Sequence, residues 1–314
     1  MHLRQYPETR DGPDLLPGIA PVFRVDLERG DVCLIGTGFW VTTEGHLVTA
    51  RHVVEENLHS DGTDRGPIFA VQTLPDRSIV ARNFKKSDMH PVFDLALSET
   101  VVAPTFRVQS TSPIVMTLDE PKIGEPVFSF AVLADGQSFE DEKLPGLTTA
   151  RFAGHISAGP VRVSSHVQFA VRLSLGYVTD IFDVMRDSVM LPFPCIQTDV
   201  AIYGGNSGGP LLDVRGRVCA VNCTSFGGND VSFHVPTRGV LQLQARAVSL
   251  GSSDAARPRR SILELGATQT ILFEPPLLDA HKPVRSVLRW VWYATKCLAR
   301  REWPSIGFHF ASFQ

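Results

Sequence analysis

Between Tyr203 and Pro210 the chain reads Tyr-Gly-Gly-Asn-Ser-Gly-Gly-Pro, four glycines around one serine with a proline to close. That much glycine permits positive φ angles and the close approach of another segment, and the proline fixes the exit. The stretch is therefore a tight loop presenting one hydroxyl, that of Ser207. A serine hydroxyl is a weak nucleophile unless a base lies beside it and a further group orients the base. Two upstream segments offer such groups: the apolar, strand-like Leu47-Val48-Thr49-Ala50 leads into Arg51-His52, and Asp94 opens the run Asp94-Leu95-Ala96-Leu97.

Histidine, aspartate, serine is one of three unrelated chain orders in which such a triad occurs. On these segments the sequence resembles the trypsin-like serine peptidases of the chymotrypsin fold, and within them the bacterial HtrA-type protease domain. Gly36-Thr37-Gly38-Phe39 opens the histidine segment, Asp94-Leu95-Ala96-Leu97 carries the acid, and Gln197-Thr198-Asp199 leads into the serine loop. The resemblance covers residues 20 to 240 and implies an all-β fold of two antiparallel six-stranded β-barrels, with the site in the cleft between them.

On that resemblance His52 is the general base, Asp94 orients it and Ser207 is the nucleophile. The backbone N–H groups of Gly205 and Ser207 would form the oxyanion hole. Where zymogen-activated members carry an aspartate before the serine, this chain has Asn206, so activation by N-terminal cleavage is not expected. Ala201 stands six residues before Ser207, where trypsin carries the aspartate that captures basic side chains. A buried cation would find no countercharge there, so small or medium aliphatic residues are expected before the scissile bond. Thr224 and Val231 would form the pocket walls, and Asn222, Cys223 and Thr224 a free strand edge for an extended substrate. The implied partner is a protein or peptide substrate. A contrasting reading keeps the triad but makes the barrels a catalytically silent, partner-binding module. Cys223 is open to two readings, a redox-sensitive switch at the pocket or a buried inert thiol.

The chain in order is expected to divide into an extended arm over 1–18, a first barrel over 19–115, a second over 116–245 and a C-terminal extension over 246–314. Strands are expected at Ile19–Val25, Val32–Val41, Leu47–Ala50, Ile68–Leu74, Ser78–Phe84, Leu95–Val101, Pro126–Leu133, Thr148–Ile156, Arg217–Asn222 and Val231–Val235. The stretch 134–146 reads as an acidic loop. An insertion over 160–194 carries Val178, Ile181, Phe182 and Met185 at helical spacing, which predicts a helix that either borders the cleft or decorates the surface. Leu241–Leu250 reads as a terminal helix. Beyond it there is no recognisable PDZ domain. Val287, Trp290, Val291, Ala294, Cys297 and Leu298 oppose Arg285, Arg289, Lys296 and Arg300 on a basic amphipathic helix. Such a helix can dock on its own domain, or residues 285–301 can meet a regulatory partner or an anionic membrane.

A net charge of −3 gives no reason to expect nucleic acid, and no window reaches the roughly 18 apolar residues of a membrane span. The histidines are scattered without ligand spacing, so neither metal nor cofactor is expected. Residues 1–17 lack the basic start and apolar run of a signal peptide. Of the five cysteines, Cys219 and Cys223 fall in one strand-like run, where their Cα atoms would lie about 13 Å apart, too far to bridge. Together these features predict a cytoplasmic protein with reduced thiols.

Overall fold

The computed structural model describes residues 15–26, 31–57, 65–74, 76, 78–102, 110–134, 148–158, 163–226, 231–246, 259–267 and 270–274. Six strands close the first barrel: β1 (Ile19–Val25), β2 (Val32–Trp40), β3 (His46–Thr49), β4 (Ile68–Thr73), β5 (Ile79–Met89) and β6 (Ala96–Val102). Their order around the ring is β1-β2-β3-β6-β5-β4, with β4 pairing back onto β1. Alternate apolar residues point inward, so Ala20, Val22, Trp40, Leu47 and Ala70 meet in one fully buried cluster.

The second barrel uses β7 (Pro126–Ala134), β9 (Val163–Phe182), β10 (Cys195–Thr198), β11 (Pro210–Leu212), β12 (Val218–Phe226) and β13 (Val231–Pro236). The order β10-β13-β12-β11-β7-β9 closes because the end of β9 pairs with β10, and β8 (Thr148–Ala158) lies outside the ring on β9. Val127, Val178, Ile196, Val200, Leu211, Cys219 and Ala220 form its core. The molecule is thus all-β, with two six-stranded antiparallel barrels of chymotrypsin type.

Two expectations are corrected. The helical spacing near residue 180 belongs to strand β9, which pairs along its length with β7, β8 and β10. Between Asp180 and Val178 the register with β10 shifts, leaving Thr179 as an extra residue. A bulge of this kind offsets the two-residue alternation by one, so Val178 and Ile181 share the core as they would on a helix. Residues 183–194 form an irregular, bent segment, with Val184, Met185, Val189 and Met190 exposed. Leu241–Leu250 is also not a helix over its described part: a 3-10 turn, Thr237–Gln242, gives way to β14 (Gln244–Arg246), which pairs with β15 (Arg259–Ser261). The short helix α2 (Ile262–Ala267) follows. The arm over 1–14, the acidic loop from 135 and the basic helix over 285–301 lie outside the described residues. No helix among the described residues is long and apolar enough to cross a membrane.

Candidate active site

Strand β3 ends at Thr49, and the chain turns through extended Ala50 into the short helix α1 (Arg51–Glu55). This sets His52 in the first helical turn, at the barrel rim. Its backbone N–H, one of those a helix start leaves unpaired, donates to Asp94 Oδ1 at 2.9 Å, and its ring Nδ1 lies 2.8 Å from Asp94 Oδ2. One carboxylate therefore grips both the backbone and the ring of His52.

The loop carrying Asp94 is itself built around a histidine. Nδ1 of buried His90 accepts from the N–H groups of Val92 and Phe93, at 3.1 and 3.0 Å, and Nε2 faces Gln242 Oε1 at 3.1 Å. Two donors on Nδ1 put the ring proton on Nε2. Burial pushes the pKa of His90 down to about 4, so the ring is neutral near pH 7. A thiol completes the shell of Asp94: Cys223 Sγ donates to Oδ2 at 3.1 Å. Burial alone would favour the uncharged forms of both His52 and Asp94. Their mutual attraction and hydrogen bonds override it, raising the pKa of His52 and lowering that of Asp94.

The serine loop crosses from the second barrel onto the first. Gly205 and Gly208 have φ of +91° and +85°, and a Cβ on Gly208 would run into Thr49 Oγ1, the Thr37 carbonyl and the Ala50 nitrogen. Thr37, on β2, holds the loop from the first barrel. Its N–H donates to the Ser207 carbonyl at 2.8 Å and its hydroxyl to the Gly205 carbonyl at 2.6 Å. The motif Gly36-Thr37-Gly38 thus acquires a physical reason: Gly36 leaves room for Val53 and for the Ser207 carbonyl. From the second barrel, Val132 N–H donates to Asn206 Oδ1 at 2.8 Å. Among the described residues, the N–H groups of Gly205 and Ser207 donate to nothing. The Ser207 hydroxyl donates to the Cys223 carbonyl at 3.2 Å rather than to His52.

Around the expected pocket, Ala201, Thr224 and Val231 are half-buried. The carbonyl of Val200 accepts from Ser232 Oγ at 2.7 Å and that of Ile202 from Ser225 Oγ at 3.3 Å. These bonds tie the segment containing Ala201 to β13 and β12, which carry Val231 and Thr224. The side chains of Asn222 and Cys223 turn elsewhere, Asn222 beneath the serine loop and Cys223 toward Asp94. Among the described residues, no strand pairs with β12 beyond Asn222 on its β11 side. Sequence reasoning did not single out Thr37, His90 or His234. Thr37 stood inside a quoted motif, and His234 was a polar residue interrupting an apolar strand, Val-Ser-Phe-His-Val. No group of three or more His, Cys, Asp or Glu side chains among the described residues is arranged to hold a metal ion.

Residues 36–221 match the model of the family described as trypsin-like peptidase domain. The chain is 29% identical over 248 residues to a probable periplasmic serine endoprotease, DegP-like, of Ectopseudomonas mendocina (strain ymp), covering 74% of this chain and 41% of that protein. It is 29% identical over 234 residues to a protein of the same name from Marinomonas sp. (strain MWYL1), covering 73% and 39%. The chain therefore spans about two fifths of the length of these curated relatives. Among solved structures it is similar to the crystal structure of Deg5, at 20% identity and a TM-score of 0.48, over 70% of this chain and 84% of that one.

The relatives are named periplasmic, which overturns the cytoplasmic location expected from the sequence. Free thiols were a poor guide to compartment here. Cys195, Cys219 and Cys223 are unbridged but buried, and burial pushes the Cys195 thiol up to about 12. Such thiols are inert under oxidising and reducing conditions alike. The family match covers the segments bearing His52, Asp94 and Ser207, and the chain belongs to the trypsin-like peptidase domain family.

Proposed function

We propose that this chain is a serine endopeptidase of the HtrA/DegP type, with His52, Asp94 and Ser207 as its triad. The observation that carries this reading is the double grip of Asp94 on His52 beside a serine loop whose Gly205 and Ser207 amides stand unengaged. The names of the relatives support the same reaction class.

Turning the Ser207 side chain about its Cα–Cβ bond exchanges the Cys223 carbonyl for His52 Nε2 as acceptor. Catalytic hydrogen bonds of this kind often form only with substrate present. Ser207 Oγ then attacks the scissile carbonyl carbon while His52 Nε2 takes the hydroxyl proton. The carbonyl oxygen becomes an oxyanion, received by the Gly205 and Ser207 N–H groups. Asp94 keeps the ring proton on Nδ1 and stabilises the imidazolium. The intermediate collapses, the C–N bond breaks, and His52 returns the proton to the leaving amine. Water repeats the sequence on the acyl-enzyme, releasing the acid and restoring Ser207.

Ala201, Thr224 and Val231 serve as the side-chain pocket, which favours small or aliphatic residues before the cut. The free edge of β12 from Cys223 onward pairs with the extended substrate. Intact-mass measurement after fluorophosphonate treatment tests the chemistry: one adduct on the wild type and none on Ser207→Ala is expected. A folded wild type that stays unlabelled overturns the proposal. Peptide substrates with valine or arginine before the cut test the pocket, and trypsin-like turnover at arginine overturns that part.

A further inference from the structure

Beneath the serine loop the second barrel contains a line of polar side chains that the proposed chemistry does not touch. Its hydrogen-bond directions follow from groups whose roles are fixed. Ser129 Oγ donates to the Pro210 carbonyl at 2.9 Å, so toward Asn222, 2.8 Å away, it can only accept. The amide nitrogen of Asn222 therefore faces Ser129, and it also donates to the Asn206 carbonyl at 3.2 Å. Asn222 Oδ1 is left as the acceptor opposite His234 Nδ1, 3.0 Å away, so Nδ1 carries the ring proton. Nε2 of the neutral ring accepts from the Thr198 hydroxyl at 2.7 Å, while Thr198 Oγ1 accepts from Val200 N–H at 3.2 Å. Thr198, Asn222 and His234 are all fully buried.

This line ends at a peptide that matters. In a trans peptide the carbonyl and the following N–H point in opposite directions. Drawing the Asn206 carbonyl down toward Asn222 therefore aims the Ser207 N–H up, into the cleft. Asn222 holds the loop through its backbone as well, accepting from Gly208 N–H and donating to the Gly209 carbonyl, both at 2.8 Å. The Asn222 amide could rotate if nothing held its oxygen, and His234 holds it. At its other end His234 grips Thr198, which immediately precedes the segment leading to Ala201.

We infer that His234 is a positioning residue: through Asn222 it fixes the peptide that presents the Ser207 N–H to the oxyanion, and through Thr198 it ties that peptide to the pocket wall. The inference rests on the serine-peptidase reading for its catalytic consequence, whereas the fixing of the loop can be measured without activity.

Three versions of the chain test it: the wild type, His234→Ala and His234→Asn. Asparagine can place an NH2 group near the position of Nδ1, so it restores the link to Asn222 but not the one to Thr198. In His234→Ala, fluorophosphonate labelling should slow by roughly ten- to a hundredfold, less than or comparable to loss of a whole oxyanion donor. Amide exchange at Gly208 and Asn222 should quicken by about tenfold, while Phe39 and Val48 in the first barrel keep their protection. His234→Asn should recover most of both losses. Wild-type labelling and exchange rates in folded His234→Ala would overturn the inference. If His234→Ala does not fold, the wild-type tautomer decides: long-range proton–nitrogen correlation must place the ring proton on Nδ1, and a proton on Nε2 overturns it. If the wild type itself does not label, the peptidase reading fails, and the exchange comparison alone decides whether His234 fixes the loop.

Discussion

The rim of the first barrel and the interior of the second each hold a histidine between fixed partners, and the partners give the two rings opposite electrostatics. His52 faces a carboxylate, so despite burial its charged form is favoured and its pKa is raised. His234 faces an amide oxygen and a hydroxyl, nothing offsets its burial, and its pKa falls to about 3. The first ring is suited to taking up a proton during turnover. The second is held neutral, and protonating it would bury a charge and leave the Thr198 hydroxyl without its acceptor. One fold thus gives the same side chain opposite charge preferences through the neighbouring acceptor; in the proposed reading the first ring carries the proton and the second is a fixed strut.

The largest expected effect comes from making the first site resemble the second. Asp94→Asn replaces the carboxylate by an amide, removes the attraction that raises the pKa of His52, and frees the ring to take the other tautomer. Turnover of a peptide substrate should fall by about 10⁴, the order seen when a triad aspartate is neutralised. In the wild type the acid limb of kcat/KM should lie above pH 6.5, the ordinary histidine value, and any residual activity of the variant should show that limb displaced to lower pH. A wild-type limb at or below 6.5 would mean that burial, not Asp94, governs His52.

The serine loop joins the two regions, and its carbonyls alternate between them: Thr37 of the first barrel holds those of Gly205 and Ser207, and Asn222 of the second holds that of Asn206. Gly208→Ala attacks the junction. At φ +85° an alanine is strained, and its Cβ meets backbone atoms of Thr37 and Ala50 that belong to the barrel wall and cannot rotate away. A loss of about 2–4 kcal/mol in urea unfolding is expected, combining the strain of the left-handed backbone with the clash. Labelling of Ser207 should fall as well. A folded variant that labels at the wild-type rate would show that the loop can be displaced without losing its function.

Acid should separate the two histidines further. The folded-state value of His52 is raised, so its contribution to stability is complete below pH 6.5 and is lost as pH rises through the folded value. The reverse holds for His234. Its folded value of about 3 lies below the unfolded 6.5, so stability is complete above 6.5 and declines as pH falls from 6.5 toward 3. His90, depressed to about 4, declines over an overlapping window. At about 1.4 kcal/mol per unit of pKa difference, His234 alone accounts for several kcal/mol at the acid end. The urea midpoint should therefore drop between pH 7 and pH 4.5, and the drop should be smaller in His234→Asn. An equal drop in both would assign the acid sensitivity to His90 or to the carboxylates.

Much of this was legible in the chain because it is written in local chemistry. The run Ile19–Val25 is β1 to the residue, and His52 and Asp94, singled out through the family resemblance, lie within hydrogen-bond distance of each other. What stayed hidden depended on pairing partners far away in sequence. The bulge at Thr179 gave a strand the spacing of a helix, and no local signal separates the two. Leu241–Leu250 looked helical, yet Gly239 just before it packs its bare Cα against Leu95 and Phe93, and the chain then pairs as β14 with β15. Asn222 and Cys223 were expected to offer a backbone edge, and nothing in the chain signalled that their side chains are engaged by the Asn206 carbonyl and by Asp94. His234 could have been suspected as a polar residue in an apolar strand. Its partners, at positions 198 and 222, could not.

The smallest expected effect concerns the thiol that touches both halves of the site. Cys223 donates from Sγ to Asp94, and its carbonyl receives the Ser207 hydroxyl. Burial and then the adjacent carboxylate push the thiol pKa far up, so it acts as a weak hydrogen-bond donor and not as a thiolate. Removing it in Cys223→Ala leaves Asp94 with two donors, both from His52, and should cost about threefold to tenfold in kcat with KM little changed, in line with one modest hydrogen bond. Cys223→Ser keeps a donor, and a stronger one, so turnover should return to the wild-type level or slightly above. The backbone carbonyl is unchanged in both variants, which isolates the side chain. If Cys223→Ser were as slow as Cys223→Ala, the space filled by sulfur would matter more than its proton, and the shell around Asp94 would owe its order to packing, unlike the hydrogen-bonded line through His234.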